Sequence, residues 1–357
     1  MTTAIHQLLP AYVRGDAISG AARVTQRLLR SMGLTSELFA DYIDPALAAG
    51  ARPAAALPGA VGSADIVFYH LSIGSATAGV FERCGARQVV VYHNITPPEY
   101  YERVSSRVTF WLRRGREDLA RLAPRAEFVI ADSTFNLSEA LAAGARDGMV
   151  IPPPVDLARL APRPATPAGA PELLFVGRYA PNKRHEDLLR ILAASRRLLP
   201  ECRLVLRGNR SDTDVYVATL RDFAWRIGVA DAVDFGPDRV TDSEIADAYS
   251  RAAVFVCASQ HEGFCIPLLE AMAFGVPIVA LAAGAVAETA GNAAVILDTA
   301  DPLVWAEAIA SVVHDTTLRT SLIDAGRRRL TDFDERNIAR RLADVVQRLG
   351  LHVGTAA

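Results

Sequence analysis

The segment Ser259-Gln-His-Glu-Gly-Phe-Cys-Ile-Pro-Leu-Leu-Glu-Ala-Met-Ala-Phe-Gly-Val-Pro277 carries two carboxylates, Glu262 and Glu270, on either side of a predicted helix start. Pro267 suits the first turn of a helix, where its missing N–H is no loss, and Gly275 suits a left-handed stop before Val276-Pro277. A helix therefore begins near Ile266. Its free N–H groups and positive dipole end favour a phosphate. The backbone from Gly263 through Phe264, Cys265 and Ile266 to Leu268 can offer N–H donors, and Gly263 permits close approach of a ligand. Two acceptor-only carboxylates flanking an anion site suit hydroxyls on both sides of a phosphate bridge, the layout of ribose, diphosphate and hexose in a nucleotide sugar. The bland alternative is an ordinary strand, turn and helix with two solvated glutamates.

A second segment, Phe175-Val-Gly-Arg-Tyr-Ala-Pro-Asn-Lys-Arg-His-Glu-Asp187, again reads as a strand, a Gly-bearing loop at Gly177 and a helix. Arg178 can grip phosphate with a planar fork, whereas Lys183 offers a compact point charge. Of 38 basic residues only Lys183 is a lysine, so a specific role there outweighs a solvated basic loop.

Both segments need strand ends to hold them. Apolar, β-branched runs at Ala4–Leu8, Asp65–Tyr69, Gln88–Tyr92, Glu127–Ala131 and Gly148–Ile151 alternate with helical stretches. The alternation stops at a Pro- and Ala-rich stretch and restarts with Glu172–Val176, Arg203–Leu206, Val233–Phe235, Val254–Val256, Pro277–Leu281 and Ala293–Leu297. This is the pattern of two tandem doubly wound α/β domains with parallel sheets. Residues 1–155 form the first domain, 156–171 a linker and 172–330 the second. Residues 331–357 form a C-terminal helix expected to pack back toward the first. Ligands of such sheets lie outside the carboxyl ends of strands, so an interdomain cleft is the expected site.

At 357 residues, 51% hydrophobic and 22% charged, the composition fits a well-packed globular protein. A net charge of -2 excludes a general attraction to nucleic acid. Cys84, Cys202, Cys257 and Cys265 form no C-x-x-C pair and read as reduced, buried thiols of a cytoplasmic protein. The N-terminal residues lack the signal-peptide pattern, and no apolar run reaches the length of a membrane span.

Gly177-Arg178 with Lys183, followed by Glu262-x7-Glu270, resembles the signature of family 4 retaining glycosyltransferases of the GT-B fold, the glycosyl transferases group 1. The resemblance implies two Rossmann-like domains and transfer of a hexose from a nucleotide-diphosphate sugar, GDP-mannose or a UDP-hexose, with retained anomeric configuration. It implies no cofactor and no metal. Arg178 and Lys183 would bind the diphosphate, Glu270 the ribose and Glu262 the hexose, while Arg207, Gly208, Asn209 and Phe235 would border the base or diphosphate. The acceptor would be a glycan, a lipid-linked saccharide or a small molecule, as in polysaccharide biosynthesis. Two alternatives share the architecture: a nucleotide-sugar 2-epimerase and a catalytically silent partner subunit.

By the same resemblance His93, after the strand ending at Tyr92, would lie near the sugar, where a histidine can donate to a hydroxyl or relay a proton. Gly15 would belong to the loop beside the donor phosphates, although Gly15-Asp16 stands where the family commonly has paired glycines. Ser133 reads better as a helix cap. The segment Arg103–Arg125 carries seven arginines, with Val104, Val108, Trp111, Gly115, Leu119 and Leu122 at helical spacing. Peripheral contact with an anionic membrane and simple packing of the apolar stripe are equally weighted readings. Asp212-Thr-Asp214 matches a metal-binding D-x-D but reads as a helix start, because the diphosphate already has cations.

Overall fold

A computed structural model describes residues 4–166, 169–210 and 213–352. The chain divides into two compact units. One comprises residues 1–98, 109–156 and 333–357, and the other residues 99–108 and 157–332.

The first unit is built on a seven-stranded sheet. Its strands are β1 (Ile5–Tyr12), β2 (Leu38–Ile43), β3 (Arg52–Pro53), β4 (Ile66–Leu71), β5 (Arg87–Tyr92), β6 (Phe128–Ala131) and β7 (Gly148–Val150). They run in the order β3-β2-β1-β4-β5-β6-β7, every described pairing parallel. The centre is apolar throughout: each residue of β4 is buried, as a strand covered on both faces requires. The C-terminal helix Glu335–Arg348 belongs to this unit. Its Ile338, Leu342, Val345 and Val346 pack with Ile5, Leu28, Phe68 and Val89.

The second unit has a six-stranded parallel sheet in the order β10-β9-β8-β11-β12-β13. Here β8 is Glu172–Val176, β9 Arg203–Arg207, β10 Val233–Asp234, β11 Val254–Cys257, β12 Ile278–Leu281 and β13 Ala294–Leu297. In both sheets the order reverses beside the first strand, the switch point at which doubly wound folds bind ligands.

Three local expectations meet the coordinates differently. In the helix Ser106–Leu122, Trp111 turns outward at 37% exposure beside Phe110 at 60%, while Thr109, Leu112, Asp118 and Leu119 are buried. Gly115 lies on the inward side of this helix, where a Cβ would stand 2.7 Å from the Gly74 backbone nitrogen. Buried Asp118 accepts from Arg121 at 2.6 Å, and burial still pushes its carboxyl upward. Asp212 lies outside the described residues. Asp214 opens the helix Asp214–Arg226 behind an N-cap at Thr213. Ser133 caps the helix Thr134–Ala142 by accepting from Asn136 N–H.

Candidate functional site

In the second unit, β11 runs into a loop and then the helix Ile266–Phe274. Gly275 ends that helix in the left-handed conformation at φ 66°. Cys265 precedes it at φ 72°, an uncommon conformation for a residue with a Cβ. The loop between carries Glu262, which is 7% exposed. Behind β8, a single 3-10 turn at Pro181–Lys183 brings the lysine to the same place. Lys183 Nζ lies 2.7 Å from both Glu262 carboxylate oxygens. Burial works against the ammonium, yet the neighbouring carboxylate holds its pKa above the usual lysine range.

Several backbone contacts hold this pair. Asn182 Nδ2 donates to the His261 carbonyl at 3.0 Å, and Gln260 N–H donates to the Asn182 carbonyl at 2.9 Å. Ala285 N–H donates to the Glu262 carbonyl at 2.9 Å, and a Cβ on Gly284 would stand 2.3 Å from that carbonyl oxygen. Thr289 Oγ1 donates to the Phe264 carbonyl at 2.6 Å. Asn182, Gly284 and Thr289 were not expected. They act through backbone atoms of a loop distant in sequence, and their residue types alone signal nothing.

Glu270 is one turn inside the helix and 2% exposed. One carboxylate oxygen accepts from Tyr249 Oη at 3.0 Å, and the other accepts from the Arg159 guanidinium, which also pairs with Asp242. Burial raises the Glu270 pKa and outweighs the pull of Arg159. In this conformation the carboxylate is therefore engaged from within the unit, by Arg159 of the turn Leu157–Leu160 and by Tyr249 of the helix Asp242–Arg251.

Arg178 is exposed and makes no ion pair among the described residues. Gly177 and Gly208 touch: a Cβ on Gly208 would stand 1.8 Å from the Gly177 carbonyl oxygen, so the ends of β8 and β9 approach more closely than side chains permit. Arg207, expected to border the base or diphosphate, donates from its guanidinium to Asp234 Oδ2 at 2.6 Å and ties β9 to β10. Asn209 Oδ1 accepts from Val240 N–H at 3.4 Å. Phe235 is buried under Arg221 at 4.8 Å, and its carbonyl accepts from Tyr179 Oη at 2.5 Å. Ile266 is half-buried at the helix start, and Leu268 is fully buried.

The first unit holds the other two expected residues. Gly15 lies in the turn after β1 at φ 74°, beside Asp16, which caps the helix Ala17–Ser31. His93 follows β5, with its side chain 5% exposed. It ends a chain of hydrogen bonds with defined polarity. Gln7 Nε2 donates to the Ala22 carbonyl at 3.0 Å, which turns the Gln7 amide oxygen toward His70 Nε2 at 2.9 Å. His70 Nε2 therefore donates, and His70 Nδ1 is left to accept from His93 Nε2 at 2.8 Å. His93 Nδ1 faces Asp132 Oδ2 at 2.9 Å, so one proton lies between that ring and the carboxylate. Both ring nitrogens of His93 are thus occupied, and burial, then His93, depress the His70 pKa well below its ordinary value.

Two doubly wound units, the second with cationic and acidic side chains at its strand ends, place the chain in the α/β class of paired Rossmann-like domains. Over its length the fold is that of sucrose-phosphate synthase from Thermosynechococcus elongatus, with TM-score 0.73, 19% identity, and 97% of this chain and 99% of the other covered. The fold also matches Anabaena Alr3699/HepE in complex with UDP and glucose, with TM-score 0.74, 19% identity and coverage of 97% and 100%. Residues 158–329 match the family model described as glycosyl transferases group 1. That match falls in the second unit, and the architecture of the chain is GT-B. A curated relative, the D-inositol 3-phosphate glycosyltransferase of Salinispora arenicola, is 33% identical over 205 residues, covering 52% of this chain and 46% of its own length. The chain spans about half the length of the curated relatives it matches.

Proposed function

We propose that this protein is a metal-independent retaining hexosyltransferase using a nucleotide-diphosphate sugar. The observation that carries the reading is the Lys183–Glu262 pair beside the N-terminus of the helix Ile266–Phe274. The diphosphate would draw Lys183 from Glu262 and take its charge, together with that of Arg178 and the helix end. Glu262, released, would accept from hexose hydroxyls. Negative charge grows on the leaving phosphate as the glycosidic bond breaks, so a fixed ammonium is worth more in the transition state than before it. The leaving phosphate would take the acceptor proton on the same face, and configuration would be kept.

For the donor, the fold match to a protein complexed with UDP and glucose favours a UDP-hexose over GDP-mannose. For the acceptor, the inositol phosphate named in the curated relatives favours a phosphorylated polyol over a polysaccharide or lipid-linked glycan. The setting is the cytoplasm, consistent with four unpaired thiols. Among the described residues no helix is long and apolar enough to cross a membrane. Peripheral contact would use Phe110 and Trp111, which stand outward on the helix Ser106–Leu122 among arginines.

A thermal-shift screen of UDP-, GDP-, ADP- and dTDP-sugars tests the donor, since a ligand of the folded state raises its apparent stability. Transfer to a polyol phosphate is then followed by mass, with and without a chelator. Rapid conversion of the donor alone to its 2-epimer would overturn the reading, as would loss of transfer on chelation for the metal-independent part.

A further inference from the structure

Two thiols stand directly beside the Lys183–Glu262 pair, and nothing in donor binding uses them. Cys257 ends β11, Cys265 precedes the helix Ile266–Phe274, and both are buried. Their sulfur atoms are 3.9 Å apart, and a Glu262 carboxylate oxygen completes a triangle whose corners all lie within 4.8 Å of one another. Two thiolates on a tetrahedral ion with bonds of about 2.3 Å stand roughly 3.8 Å apart. A disulfide requires a separation of about 2.05 Å. The observed distance therefore matches two sulfurs sharing an ion.

Charge and softness point the same way. A divalent ion held by two thiolates and a carboxylate carries one net negative charge, and the Lys183 ammonium is in place to balance it. Thiolate ligands select soft ions such as zinc, cadmium or copper(I) over magnesium or manganese. We propose that Cys257, Cys265 and Glu262 form a binding site for one soft divalent cation. Binding releases the two thiol protons as the metal–sulfur bonds form, and three protein ligands leave one coordination position open. The ion takes a Glu262 oxygen from Lys183, so it acts against the donor rather than with it. This last consequence rests on the transferase reading; the binding itself does not.

The test uses the full chain, reduced with a phosphine and stripped of metal, and cadmium as the probe. Titration is followed by the ultraviolet thiolate-to-cadmium band, and bound metal per chain is measured after desalting. One cadmium per chain is expected. Cys257→Ser and Cys265→Ser should each abolish the band and weaken binding more than about 100-fold, beyond the 10–100-fold that losing an outer-shell partner costs. Cys84→Ser and Cys202→Ser should leave both unchanged, with folding of every variant checked by circular dichroism. Absence of a stoichiometric band, its persistence in Cys257→Ser, or a Cys257–Cys265 disulfide forming in place of metal binding would each overturn the site. Cadmium bound without reversible inhibition of hexose transfer would overturn the antagonism to donor alone.

Discussion

Lys183 Nζ is equidistant, at 2.7 Å, from the two carboxylate oxygens of Glu262, and the two residues reach each other from separate strand ends of one sheet. Such a pair is worth less to stability than its geometry suggests, because both charges are desolvated. Its asymmetry is what can be measured. Lys183→Met leaves a buried carboxylate unpaired and should cost about 3–5 kcal/mol in denaturant unfolding. Lys183→Met with Glu262→Gln should recover most of that loss. Transfer should fall by about 10³-fold in both, since the ammonium is needed for the leaving phosphate. Recovery of activity along with stability in the double variant would show that the pair serves the fold alone.

The Glu262 backbone is held by a contact with no side chain in it. Gly284 has φ 56°, and a Cβ there would stand 2.3 Å from the Glu262 carbonyl oxygen. Gly284→Ala must therefore move the loop or the strand end behind it. We expect a loss of about 2–3 kcal/mol from strain and displaced backbone. The donor-induced thermal shift should shrink disproportionately, while Gly228→Ala, at φ 72° with open space around its Cβ, should lose stability without that effect. Equal donor shifts in the two variants would remove Gly284 from the site.

The contrast between Glu262 and Gly284 also marks where sequence reading ends. Lys183 and Glu262 were legible because residue type, helix signals and strand ends agreed on them. Gly284, Arg159 and Tyr249 were not, because each acts on an atom far away in the chain and leaves no local pattern. The same holds for strands. Uninterrupted apolar runs such as Leu173–Val176 and Val89–Tyr92 announce buried parallel strands. The expected set omitted β2, whose Asp41 and Tyr42 are exposed, and β3, two residues at the sheet edge that include a proline. Cys257 and Cys265 read from sequence only as separate buried thiols because their spacing is not that of a metal motif; a turn between strand and helix brings them together.

Glu270 presents a further case of an acid held from a distance. Its carboxylate accepts from Tyr249 and from Arg159, and burial pushes its pKa upward. Arg159→Ala removes the charged partner and should destabilise the chain by about 2–4 kcal/mol, an effect softened because the acid can take up a proton. The sign follows from the raised pKa. A carboxyl that binds its proton more tightly when folded contributes stability at low pH and loses it as pH rises through the folded value. The Arg159→Ala penalty should therefore be larger at pH 8 than at pH 5 in urea titrations, and a penalty independent of pH would contradict this account.

His185 gives the opposite sign. Its ring is fully buried, stacked on Tyr179 at 4.7 Å and edge-on to Phe175 at 5.0 Å and Tyr216 at 5.9 Å. Burial, with the Lys183 charge second, lowers its pKa from 6.5 to about 3. The folded state thus takes up this proton later than the unfolded chain does. The associated stability is present above the unfolded pKa of 6.5 and is lost as pH falls toward 3. At pH 4.5 the loss should reach about 2–3 kcal/mol, from two pKa units at about 1.4 kcal/mol each. His185→Phe keeps the stacked ring and removes the titration. Between pH 7 and pH 4.5 it should lose less stability than the unaltered protein by that amount, read from urea midpoints at each pH. Parallel losses in the two proteins would mean that His185 stays neutral in the unfolded chain as well, or charges without cost in the folded one.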